Sequence, residues 1–236
     1  MAKNRHGGGD MRKLVIFIAA TTGASVIAGT AYVYATDTCL TESCNSKKRE
    51  EINKKISLEW ENISKNIEKK KSLTAMVRNE FVPLIESHYY SINNVIKSSI
   101  DKNTKECVEY FDQGMIGYGQ ECFDSKRKET SNMESKISKN EILKKNLIND
   151  IVFIMGEADS LSQKLFLLTP STSPEDERIF KRLNDEFNEN FQRVISSIGK
   201  NSVVSANKID DKNKIFSSIN NSIRESLEKI NNTRSL

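Results

Sequence analysis

Apolar side chains recur at three- and four-residue intervals along nearly the whole chain beyond residue 46. Ile52, Ile56, Trp60, Ile63 and Ile67 step by four, four, three and four. The series resumes at Leu73, Val77, Phe81, Leu84 or Ile85, Ile92, Ile96 and Ile100. Such spacing lays one apolar stripe along a helix and leaves the lysines and glutamates on the other faces. A second run holds Leu143, Leu147, Ile151, Ile154, Ala158, Leu161, Leu165 and Leu168, and a third holds Ile179 or Phe180, Leu183, Phe187, Phe191, Val194 or Ile195 and Ile198. A fourth, from about Val203 to Asn231, carries Phe216, Ile219, Ile223, Leu227 and Ile230, the spacing of a coiled-coil seam. The stripes predict an all-α body, an elongated helical bundle with coiled-coil-like packing over 47–232 and a frayed tail over 233–236.

Punctuation is sparse. Past Ala35 the chain has only five glycines and three prolines. Pro83 is expected to kink or divide the first long helix. Ser173, Pro174 and the acids Glu175, Asp176 and Glu177 form a helix start, and Gly199 fits a stop. The polar stretch from Ser125 to Asn140 reads as a solvated stalk helix or a loosely packed connection. Asn149, Asp150, Glu157 and Asp159 interrupt the second run, which is therefore expected to be a core helix and not a membrane span.

One run has no charge at all. Leu14 to Ala35 has about the length of a membrane-spanning helix. Lys3, Arg5, Arg12 and Lys13 precede it, against Asp10 alone, and Asp37 and Glu42 follow. That asymmetry keeps residues 1–13 in the cytoplasm, as a short tail with no fold of its own, and sends the body across. The run serves as an uncleaved signal-anchor in one reading. In the other it is a signal peptide cut after Ala35, where Val33 and Ala35 suit a signal peptidase. The first places the protein in the cytoplasmic membrane, single-pass, with its body outside (periplasmic in a Gram-negative cell). The second secretes it. Ala20, Ala24 and Ala28 share one face of this helix, a spacing that admits a second copy and hence homo-oligomerisation.

Cys39, Cys44, Cys107 and Cys122 all follow the apolar run, and residues 36–46 form a short polar linker. An even number of cysteines in an exported body implies two disulfides. Three pairings are open, of which Cys39–Cys44 with Cys107–Cys122 is the most local. Zinc is not expected, since the spacings are not CxxC and His88 is the only histidine beyond the run. The net charge of +4 comes from interspersed acids and bases, so a nucleic-acid partner is not expected.

Gly114, Gly117 and Gly119 lie between Cys107 and Cys122 and should break the helix there. Tyr110, Phe111, Met115, Ile116 and Tyr118 make the same stretch aromatic and apolar. It reads first as a disulfide-pinned turn whose aromatics fold onto the bundle, and alternatively as an exposed tip that contacts a partner. No phosphate loop, dinucleotide fingerprint, zinc-protease motif or nucleophile elbow occurs. No catalytic residue, metal or cofactor is expected, and His88 alone offers little for acid–base work. No motif is specific enough to name a family. The expected function is that of a membrane-anchored structural or interaction protein binding other envelope proteins, as in a secretion, conjugation or phage-related assembly. The alternatives are a helical ligand-binding sensor module lined by His88, Tyr89 and Tyr90, and a secreted membrane-active helical protein.

Overall fold

A computed structural model describes residues 42–167 and 173–235. The apolar run 14–35 with Ala20, Ala24 and Ala28, the residue Cys39 and the side chain of Cys44 lie outside the described residues. Four helices account for nearly everything described: α1 (Glu42–Asp112), α2 (Ile116–Leu167), α3 (Pro174–Lys200) and α4 (Ala206–Arg234). No strand occurs among the described residues. The chain divides into two units, Met1–Lys55 and Ile56–Leu236. In the first, the described residues are the opening turns of α1, with mostly exposed side chains. All packing described below is within the second.

Polar contacts give the register. Glu68 meets Ser162, Lys71 meets Asp159, and Asn93 meets Asn140, so α2 runs antiparallel to α1. Trp60 packs edge-on against Phe180, and Lys70 meets Asn184, so α3 runs parallel to α1. Glu59 meets Lys229, Asn66 meets Ser222, and Glu80 meets Lys212, so α4 is antiparallel again. This is an up-down-up-down four-helix bundle.

Heptad spacing builds its core. Leu147, Ile151, Ile154, Ala158, Leu161 and Leu165 of α2 are buried at alternating steps of four and three, as are Lys212, Phe216, Ile219, Ile223, Ser226 and Ile230 of α4. Such a repeat keeps one face on the bundle axis. In α1 the buried stripe is broad from Ile63 to Val77, where three helices surround it. It then advances by fours through Phe81, Ile85, Tyr89 and Asn93. Each step of four turns the stripe by about 40° round an ideal helix. The buried face thus turns as α1 leaves α3 and α4 behind and keeps α2 alone.

Several expectations are corrected. Pro83 does not divide the first helix; it lies inside a continuous α1. Of the three tip glycines only Gly114 is in the turn, and Gly117 and Gly119 belong to α2. Gly199 is not the stop of α3, which runs on to Lys200 and is closed by Asn201. Its small size serves packing, because a Cβ there would lie 3.1 Å from Ile209. Helix α4 extends to Arg234, beyond the expected fraying point, and α1 already covers Glu42 to Ser46. The start of α3 is as expected, with Ser173 just before Pro174, and Ser173 and Asp176 form a reciprocal capping box across it.

Candidate functional site

Beyond Tyr89, α1 and α2 continue as a two-stranded antiparallel arm. The 24 residues from Tyr89 to Asp112 make it about 35 Å long. Its seam is thin. On α1 it is Asn93, Ile96, Ile100, Asn103, Cys107 and Tyr110; on α2 it runs from Gly119 through Phe123, Lys126, Thr130, Met133, Ile137 and Asn140 to Lys144. Few of these are fully buried, and several are polar. Two features hold the arm at its ends. Near the bundle, Asn140 donates to the Asn93 side-chain oxygen at 2.9 Å, and Asn93 donates to Glu141 at 2.7 Å. An asparagine pair of this kind, with Asn93 buried and Asn140 half-buried, fixes the register of a coiled coil. At the far end Cys107 and Cys122 form a disulfide.

The tip turns within three residues. Gly114 takes φ 76°, and the Met115 and Gly114 N–H groups bond back to the Tyr110 and Phe111 carbonyls at 2.8 and 2.9 Å. These two bonds are the helix-ending motif that a left-handed glycine permits. Phe111 folds back over Gly119, where a Cβ would lie 2.5 Å from its ring, and its ring centroid is 6.0 Å from that of Phe123. Tyr110 and Met115 are half-buried. Ile116 and Tyr118 point outward, 68% and 66% exposed. The five residues singled out from the sequence therefore separate: Tyr110, Phe111 and Met115 build the turn, while Ile116 and Tyr118 are presented to the outside.

The charge of the tip is one-sided. Glu106, Glu109, Asp112, Glu121 and Asp124 are all exposed, and no lysine or arginine stands between Lys105 and Lys126. Lys126 is engaged with Glu106, and this hydrogen bond holds the Glu106 carboxyl below the usual range.

A second unusual group is buried in the bundle. Lys70 is fully enclosed, and its Nζ donates to Asn184 Oδ1 at 2.7 Å and Asn188 Oδ1 at 2.5 Å. The same nitrogen lies 5.0 Å from the centre of the Phe187 ring and 5.3 Å from that of Phe216. Two amide oxygens and two ring faces favour the ammonium form. Burial opposes it and lowers the pKa to about 7, with the Asp185 charge offsetting part of that shift. Phe191 stacks on Phe216 at 4.0 Å and completes the layer. An amine so fully enclosed cannot reach a substrate in this conformation, and its chemistry here is that of a polar core layer.

Apolar periodicity alone does not reveal this layer, because its central members are lysine and asparagine. The signal was there: Lys70 lies three residues beyond Ile67 and seven before Val77, on the buried face. Polar residues also take three neighbouring core positions. Asn184 is buried where Leu183 was expected, Ser226 where Leu227 was expected, and Asn93 where Ile92 was expected.

The residues of the ligand-binding alternative do not converge. Tyr89 is buried, with its hydroxyl pKa raised by burial, Tyr90 is 70% exposed, and His88 sits edge-on to Tyr89 with ring centroids 5.3 Å apart. Tyr90 lines an open groove along α1 with Ser87, Asn94 and Val95. Among the described residues no three His, Cys, Asp or Glu side chains gather where they could hold a metal ion, and no helix is long and apolar enough to cross a membrane. Comparison with protein-family models, curated proteins and solved structures finds no match to this chain.

Proposed function

We propose that this protein is a non-enzymatic interaction protein of the cell envelope. In this reading the run Leu14–Ala35 anchors it in the cytoplasmic membrane, and the helical body binds another envelope protein outside. One observation carries the reading: the longest two-helix element ends in a disulfide-closed turn that presents Ile116 and Tyr118 to solvent. A disulfide suits an oxidising compartment outside the cytoplasm. A thin coiled-coil arm with a covalently closed tip is suited to reaching a partner, and the groove along its α1 face is open, with serines making up half of its lining. Assembly into a secretion, conjugation or phage-related apparatus is the context that such an anchored arm fits.

The test is fractionation of native cells with intact-mass analysis, followed by protease treatment of cells whose outer layers have been opened. The reading expects a full-length, membrane-bound chain whose body is digested from outside and which co-purifies with another membrane or envelope protein. A body protected inside the cytoplasm, or a chain recovered alone from every native extract, would overturn it. A soluble product beginning at Thr36 would replace the anchored form with the secreted one.

A further inference from the structure

We infer that the tip of the arm docks into an apolar pocket rimmed by lysine and arginine on a partner protein. The inference rests on the interaction reading above and specifies its partner chemistry. Two independent features of the tip, its apolar exposure and its charge, point the same way, and an open glycine between the apolar residues is compatible with both.

The first is apolar exposure without a structural reason. Ile116 and Tyr118 flank Gly117 in the first turn of α2, and both are about two-thirds exposed. Phe111 packs on Gly119 and Phe123 but still leaves 36% of its surface exposed. Aromatic and branched apolar side chains that the fold leaves free are typical anchors of an interface.

Gly117 is the open glycine between them. Gly114 is needed for its left-handed φ, and Gly119 for the Phe111 ring. At Gly117 neither reason holds: its φ is not positive, and a Cβ would meet nothing within 4 Å. Gly156, far from the tip, is equally open, so the open position alone does not mark a contact; at Gly117 it leaves the backbone between Ile116 and Tyr118 free for close approach.

The second feature is charge. Glu109, Asp112, Glu121 and Asp124 are exposed around the tip, and none takes part in an ion pair among the described residues. The complement of a tip that exposes apolar side chains among unpaired carboxylates is an apolar pocket bearing cations. A bilayer is disfavoured, because anionic headgroups repel an acidic tip. A second copy docking tip to tip is disfavoured as well, since a two-fold contact would bring the same carboxylates together. The disulfide and the three-residue turn hold the knob in one shape, which reduces the ordering cost of binding.

The experiment is in-cell photocrosslinking with p-benzoylphenylalanine in place of Tyr118 in the full chain. It is repeated in the E109Q/D112N/E121Q/D124N background and with Ile116→Ser. Circular dichroism melts of the purified variants establish that they remain folded. The adduct is identified by mass spectrometry, and the partner so found is purified and titrated with the unlabelled chain. The expected result is one protein adduct, reduced about tenfold or more by neutralisation and by Ile116→Ser, with a Kd that weakens about tenfold between ~0.05 and ~0.5 M salt. An adduct to lipid, an adduct to a second copy, a protein adduct indifferent to charge, or no adduct at all would overturn the inference. A chain found outside the cytoplasm and in a complex, yet with no charge-sensitive adduct at position 118, sinks this inference alone. A chain confined to the cytoplasm sinks the envelope reading and leaves the docking chemistry to be judged by the adduct.

Discussion

At the scale of single residues, Lys70 is the least expected member of the core. Its ammonium is stabilised by Asn184, Asn188 and two rings, yet burial holds its pKa near 7 against an ordinary 10.5. Between these values the unfolded chain keeps the proton that the folded bundle has released. Stability therefore rises with pH across that window and sits at its lower level below about 7. The slope cannot exceed about 1.4 kcal/mol per pH unit for one group. We predict that urea midpoints rise from about pH 6 to about pH 9 in the natural chain and stay nearly level in Lys70→Met, the difference isolating this one group. Equal pH dependence in both would show that Lys70 is not the responsive group. The tip glycines give a second residue-scale prediction. Gly117→Ala should raise the stability of the arm by up to about 0.5 kcal/mol, because it adds some helix propensity in the first turn of α2 and meets nothing. Gly119→Ala should lower it by about 1 kcal/mol, because the Phe111 ring must leave its seat. Amide exchange across the tip reads both, and the opposite signs are the test.

At the scale of the element, the arm is a weak coiled coil strengthened at both ends. Its seam holds Asn103, Lys126, Thr130, Asn140 and Lys144, and the Asn103 side-chain nitrogen is buried without a partner. So polar a seam gives little burial energy, which leaves much of the arm's order to the disulfide. The cysteines are 15 residues apart, and a loop of that size corresponds to about 3 kcal/mol of stabilisation in the chain-entropy account. Replacing both Cys107 and Cys122 by serine should speed amide exchange from about residue 93 to residue 140 while leaving Ile151, Phe187 and Phe216 protected. Uniform loss of protection would mean that the arm and the bundle are one cooperative unit. Pro83 acts in the opposite sense. It supplies no N–H inside a continuous helix, so α1 forgoes a bond to the exposed Asn79 position. Pro83→Ala should raise the melting temperature, with a gain of at most about 3 kcal/mol.

At the scale of the whole molecule, within Ile56–Leu236, two different kinds of packing share one pair of long helices. In the bundle, Phe187, Phe191 and Phe216 join helices α3 and α4 beside Lys70 of α1. Phe216→Ala removes a ring stacked at 4.0 Å and should cost about 3–5 kcal/mol, read as a lower urea midpoint for the global transition. A loss below about 1 kcal/mol would mean that the aromatic layer collapses to fill the space. The arm's seam is separate from this aromatic layer, so reduction or a change at its tip is expected to loosen the arm while the bundle keeps its fold. That separation suits an interaction protein, whose contact surface can change without disturbing what holds it.

Much of this was legible in the amino-acid sequence. The stripes determined the helical class, because helix periodicity depends only on local geometry and on which residues avoid water. Ser173, Pro174 and Asp176 determined the start of α3, since a cap is made by neighbours in the chain. The stretch between Cys107 and Cys122 was recognisable as a turn for the same local reason. Tertiary structure decided the rest. Four cysteines allow three pairings, and only the antiparallel arm brings Cys107 to Cys122. Periodicity locates a face to within about one residue, so the choice of Asn184 over Leu183, or Asn93 over Ile92, waited on partners. A polar side chain enters the core only where another helix supplies its hydrogen bonds, as Asn184 and Asn188 do for Lys70. Those partners come from more than a hundred residues away, and no local pattern encodes them.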